Sequence, residues 1–145
     1  MRELPRQLSV DQLAELFEGR TRLVDQLAEL EDPLARAREV ARNLPEADKK
    51  AVLDAHPAIG ARATSARSQA EQGIDDDPDV LAELAELNRA YEEKFGFRFV
   101  VFVNRRPRRE IIPVLRERLG RQREDELATG VDELVQIAID RWRIS

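Results

Sequence analysis

The chain reads as an all-α single domain, a bundle of about seven to eight helices over residues 1–145 with one short extended segment near 97–103. Three observations carry that reading. Apolar residues recur at helical spacing in almost every stretch between turn signals. Only one run, Phe97-Arg98-Phe99-Val100-Val101-Phe102-Val103, is β-branched and aromatic enough to favour an extended chain. No second such run exists to pair with it, and 145 residues suffice for one buried core without staples.

The elements follow in order. Ser9-Val10-Asp11-Gln12 has the capping-box pattern, Ser at the N-cap and Gln three residues on, ahead of Leu13, Leu16 and Phe17 at helical spacing. A first helix is predicted there, ending at Gly19. A second carries Leu23, Leu27 and Leu30 and stops before Pro33, and a third carries Leu34, Ala37 and Ala41 as far as the Asn43-Leu44-Pro45 turn. A fourth runs from Pro45 to Ala55. It ends because Pro57 disfavours the α conformation at His56.

Asp75-Asp76-Asp77-Pro78 places acidic caps before a proline at the first helical position, which opens a helix with Val80, Leu84, Leu87 and Tyr91 on one face and an end near 94–96. The extended run that follows has no partner strand, so its peptide groups need other partners, a ligand among them. A short buried connector or a piece of helix fits its composition equally. Beyond it a helix carries Ile111, Val114, Leu115 and Leu119, with Pro113 tolerable in a first turn or at a kink. The last helix spans Glu124 to Trp142, its stripe of Leu127, Val131, Leu134 and Ala138 continued by Arg141.

Composition narrows the function. Charged residues make up 37% of the chain, against about 25% in an ordinary domain. The net charge of −5 is mixed along the sequence, which disfavours non-specific binding to nucleic acid or membrane. Arg105-Arg106-Pro107-Arg108-Arg109 is either a solvated turn or a local anion patch. The absence of cysteine excludes disulfides, thiolate metal sites and cysteine nucleophiles. No apolar run approaches the ~18 residues of a membrane span, and Met1-Arg2-Glu3-Leu4-Pro5 lacks the apolar core of a signal peptide. A cytoplasmic protein is expected.

The chemistry-bearing residues cluster in sequence. His56-Pro57-Ala58-Ile59-Gly60 holds the single histidine, the side chain that titrates nearest neutral pH, at a helix end facing a cleft or solvent. Ser68-Gln69-Ala70-Glu71-Gln72 follows; if helical, it puts Ser68, Glu71 and Gln72 on one face. By itself His56 suits a surface or capping role, Glu71 a solvated face, and Arg141 either a snorkelling guanidinium at a helix C-terminus or a ligand contact. Arg143 is the neighbour most easily confused with it.

Together, His-Pro-x-Ile-Gly and Ser-x-x-Glu-Gln resemble the 2-oxo-4-hydroxy-4-carboxy-5-ureidoimidazoline (OHCU) decarboxylases, cofactor-free enzymes of uric acid degradation. The resemblance continues through Leu87-Asn88-Arg89-Ala90-Tyr91 and Lys94-Phe95-Gly96-Phe97-Arg98-Phe99-Val100-Val101 to the helix with Glu133, Ile137 and Arg141. It covers roughly residues 44–142. The first forty residues match less well, for Gly19-Arg20-Thr21-Arg22-Leu23-Val24 stands where relatives show an aromatic-bearing segment.

The resemblance implies a carboxy-lyase that needs no cofactor and no metal, with His56 as general acid/base, Glu71 accepting from ureido and ring N–H groups, and Arg141 gripping a planar urea-like edge. It implies Pro57, Ser68, Gln72, Phe99 and Val101 as substrate-binding, the last two through backbone groups. The implied partner is an anionic ureido-imidazoline. A homodimer is expected from the family and from apolar stripes on more helices than one small core absorbs. A divergent or silent member of the family and a helical protein-interaction module are the alternatives.

Overall fold

The computed structural model describes residues 3–59 and 77–144. Among these, seven α-helices and one 3₁₀ turn occur and no strand: α1 (Val10–Leu16), α2 (Arg22–Ala28), α3 (Pro33–Arg42), α4 (Glu46–Asp54), α5 (Pro78–Phe95), the turn Arg108–Glu110, α6 (Ile111–Leu119) and α7 (Arg123–Ile144).

The predicted caps form. Ser9 Oγ accepts from the Gln12 N–H at 3.1 Å while Gln12 Oε1 accepts from the Ser9 N–H at 2.9 Å, closing the capping box. Asp77 caps α5 by accepting from the Asp79 N–H at 2.9 Å, with Pro78 in the first turn, and Gly96 ends that helix at φ 81°, where a side chain would be strained. The expected end of α1 at Gly19 is corrected, since the helix stops at Leu16 and Glu18 takes the left-handed position at φ 61°. The Gly19 N–H then reaches back to the Ala14 carbonyl at 2.9 Å, which makes the turn a Schellman motif.

α7 is the central element, packing on α1, α3 and α4, while α6 lies on α5. Its apolar stripe is buried as expected, with Val131, Leu134 and Ala138 fully covered. Gly130 lets α4 approach closely, for a β-carbon there would meet the Leu53 side chain at 3.1 Å. Leu53 sits three residues before His56, and Gly130 about three turns before Arg141.

Residues 97–103 are extended without a ladder, and side chains supply their hydrogen bonds. Asp54 Oδ1 accepts from the Arg98 N–H at 3.0 Å, and Arg118 Nη1 donates to the Val100 carbonyl at 2.8 Å. Arg106 donates to the carbonyls of Phe102 and Val103, each at 2.8 Å. This also decides the nature of the arginine run. Arg106 is turned onto the backbone, Arg105 meets Asp140 at 3.4 Å and Arg109 lies 3.9 Å from Asp77, so the run is a bonded turn rather than an open cationic patch.

Behind the segment lies a buried polar knot. Glu126, fully covered at the start of α7, accepts from Arg118 at 2.7 Å, from the Tyr91 hydroxyl at 2.6 Å and from Arg121 at 3.0 Å. Arg118 lies over the Phe99 ring at 4.5 Å, and Tyr91 packs on Phe99 with ring centroids 5.2 Å apart. Three helices thus hold one face of the extended segment.

Candidate functional site

The same segment, from Phe99 to Val103, lines a cavity of about 40 Å³ together with His56, Pro57, Ile137 and Arg141. This is room for water-sized groups rather than for a whole ring system. The described residues by themselves enclose no more than that. Phe99 and Val101 contribute from the segment, Pro57 and His56 from the end of α4, and Arg141 from the last turn of α7.

His56 is held by its backbone. Its N–H donates to the Leu53 carbonyl at 3.2 Å, and its own carbonyl accepts from Arg98 Nη1 at 2.5 Å. The same guanidinium donates to the Asp54 carbonyl at 3.2 Å and, through Nε, to Glu92 at 3.1 Å. Arg98 thereby clasps the end of α4 to the extended segment. Asn88 Nδ2 donates to the Ile59 carbonyl at 2.8 Å and fixes the chain just past Pro57.

The imidazole itself is 4% exposed, and its Nε2 is buried without a hydrogen-bond partner. A buried polar atom left unpaired in a folded protein calls for an explanation, and a ligand is one. The expectation of a near-neutral histidine is corrected here. Burial, joined by the positive charges of Arg141 and Arg98 and only partly offset by Glu18, pushes the imidazole down to about 4. At neutral pH it is uncharged, able to donate through one ring nitrogen and accept through the other.

Arg141 is 2% exposed and lines the cavity, whereas Arg143 lies exposed on the same helix. The snorkelling alternative fails, because the guanidinium is turned inward. Nη1 donates to the Leu16 carbonyl at 2.9 Å and Nη2 to Glu18 Oε1 at 3.0 Å. The Glu18 side chain is itself only 9% exposed. Its left-handed backbone costs on the order of 1 kcal/mol in a residue with a side chain, so the carboxylate is kept where glycine would sit more easily.

Of the residues singled out from sequence, His56, Pro57, Phe99, Val101 and Arg141 meet at this cavity. Ser68, Glu71 and Gln72 lie outside the described residues. Glu18, Arg98 and Asn88 went unnoticed as site-building residues. Asn88 and Arg98 stood within motifs that carry the resemblance and Glu18 did not, and an acid after a helix end or an arginine in an apolar run gives no signal of the partner it will meet far along the chain. Among the described residues no group of three or more His, Cys, Asp or Glu is placed to hold a metal ion.

The model of one protein family, OHCU decarboxylase, matches residues 2–143. The match extends through the amino-terminal third, beyond the 44–142 of the sequence reading. Among curated proteins, the OHCU decarboxylase of Mus musculus is 33% identical over 66% of this chain and 58% of its own length, and that of Amia calva 32% identical over 68% and 62%. This chain thus spans about three fifths of those relatives. A uric acid degradation bifunctional protein of Bacillus subtilis is 27% identical across 100% of this chain and 31% of its own. An OHCU decarboxylase crystallised in the presence of (S)-allantoin superposes with a TM-score of 0.76 at 25% identity, covering 90% of this chain and 94% of that one. An (S)-allantoin synthase shares the fold, with a TM-score of 0.67 at 20% identity over 91% of this chain and 47% of that one.

Proposed function

The chain belongs to the OHCU decarboxylase family, and on that premise we propose that it is a carboxy-lyase of uric acid degradation, converting 2-oxo-4-hydroxy-4-carboxy-5-ureidoimidazoline to (S)-allantoin. One observation carries the proposal to the site: an uncharged, buried imidazole with an unpaired Nε2 faces the same small cavity as a buried guanidinium.

The chemistry suits those groups. The substrate carbon that loses CO₂ also bears a hydroxyl and is conjugated to a ring imine, so the electron pair of the breaking C–C bond can move into the ring without a metal or an organic electron sink. The protein must hold the scissile carboxylate out of the ring plane, stabilise charge arriving in the ring and deliver a proton to one face. Arg141 would neutralise charge on the ring carbonyl. Gripping the departing carboxylate instead would stabilise the ground state and slow the reaction.

His56 would hold and deliver the proton. An anionic substrate beside it favours the protonated imidazole, so binding itself raises the proton affinity that burial and the two arginines depress. Glu71, with Ser68 and Gln72 orienting, would accept from the ureido and ring N–H groups. Pro57 and the backbone at Phe99 and Val101 would shape the inner wall.

We propose further that the whole 145-residue chain works as one such domain, as a homodimer and in the cytoplasm. The family supports the dimer. The apolar stripes support it less, because Ile144 is the only large exposed apolar side chain among the described residues. The same fact disfavours the interaction-module alternative. No helix among the described residues is long and apolar enough to cross a membrane.

Circular dichroism of allantoin formed from freshly generated OHCU tests the reaction directly. The protein should accelerate formation and leave an excess of the (S) enantiomer, and folded His56→Asn should be slower by about 10² or more. Racemic product at the uncatalysed rate would overturn the assignment.

A further inference from the structure

We infer that Glu18 is a positioning residue of the site, holding the Arg141 guanidinium at the wall of the cavity. The inference rests on the functional reading above and adds a residue from the part of the chain that least resembled the family. The contact is direct, for Arg141 Nη2 donates to Glu18 Oε1 at 3.0 Å while Nη1 is occupied by the Leu16 carbonyl at 2.9 Å, two residues earlier on the same turn. The two acceptors fix the plane of a guanidinium whose fork geometry transmits orientation as well as charge.

Three further observations make Glu18 more than a passing neighbour. Its side chain is 9% exposed and that of Arg141 2%, so the pair is shielded from water and keeps its strength. Glu18 occupies the left-handed position of the Schellman turn, at φ 61°, where glycine is commonest. A side chain in that conformation carries backbone strain, and here it is the side chain that bonds Arg141. Glu18 also supplies the negative charge that opposes Arg141 and Arg98 around His56, so one carboxylate bears on both groups of the cavity.

Glu18→Gly removes the carboxylate and gives the turn the residue its backbone prefers, which offsets part of the cost of leaving Arg141 without its counter-charge; activity is therefore compared below the melting transition of each variant. Glu18→Gln keeps an oxygen acceptor at the same reach. With OHCU as substrate, Glu18→Gly should lower kcat at least about tenfold, while Glu18→Gln retains most of the activity. In an Arg141→Lys background Glu18→Gly should cost distinctly less than in the unaltered protein, because most of its effect passes through Arg141. Equal losses in both backgrounds, or a Gln variant no better than Gly, would overturn the inference.

A readout free of catalysis separates this from the functional reading. The Nη protons of Arg141, identified by their disappearance in Arg141→Lys, should be individually resolved by NMR in the unaltered protein and averaged by rotation in Glu18→Gly. If the unaltered protein forms no allantoin, the functional reading fails. The positioning inference then stands or falls on those signals, and resolved Nη protons in Glu18→Gly would refute it.

Discussion

A histidine that folding drives to about 4 from 6.5 is a stability device as well as a candidate acid/base. The unfolded chain binds a proton near pH 6.5 and the folded one does not until about pH 4, so over that window the unfolded state holds more protons. Stability must therefore be undiminished above pH 6.5, fall as the pH drops through the window and lose nothing further from this group below it. The full loss is roughly 3 kcal/mol. Urea unfolding of the unaltered protein and of His56→Gln at a series of pH values should give a difference that changes between pH 6.5 and 4 and is flat outside. A difference independent of pH would mean that folding leaves the proton affinity of the imidazole unchanged. His56 was found from sequence because it is the single histidine and precedes proline. Its lowered proton affinity was not legible, for that depends on Arg98 and Arg141, which only the fold brings beside it.

At the level of elements, helix ends were readable because caps and turns are local chemistry: Ser9 with Gln12, Asp77 with Pro78, and Gly96 all behave as their spacing predicts. The run at 97–103 was readable as extended or as a short buried connector without a partner strand. What satisfies it was not, because Arg118, Arg106 and Asp54 reach it from other parts of the chain. Glu126 is the centre of that support, a buried carboxylate accepting from Arg118, Arg121 and Tyr91. The tyrosine hydroxyl is correspondingly harder to ionise, through burial and its bond to Glu126. Glu126→Ala would leave the Arg118 guanidinium buried without its counter-charge, which should destabilise the fold by about 3–5 kcal/mol. Replacing Arg118 and Glu126 together by Met and Leu should cost much less, since breaking a buried pair is worse than removing it. Urea unfolding decides between them; a single variant that is no worse than the double would mean that Glu126 is not the organising charge.

At the level of the molecule, the site is assembled from distant parts of the chain, α4 and the extended segment meeting the two ends through Glu18 and Arg141, 123 positions apart. Its activity should survive exhaustive chelation and dialysis, because one histidine and no cysteine offer too few ligands for a zinc-type centre; activity lost on chelation and restored by a divalent metal would refute the cofactor-free reaction. Arg141 is where the whole-chain architecture and the chemistry coincide. Lysine there keeps a positive charge but cannot bridge the Leu16 carbonyl and Glu18 while presenting a planar edge to the cavity. Arg141→Lys should therefore weaken catalysis by roughly 1.5–3 kcal/mol and also lower the melting temperature, since hydrogen bonds from a charged group to the amino-terminal turn are lost. Sequence alone suggested the first effect without the second, because nothing near Arg141 in the chain announces that its partners lie in the first turn of the fold. Arg143→Lys, on an exposed side chain, should do neither. The two effects are separable by assaying well below the melting transition, where both variants are folded. If activity there is unchanged while stability falls, Arg141 only ties the ends of the chain together, and the chemistry would rest on His56 and Glu71.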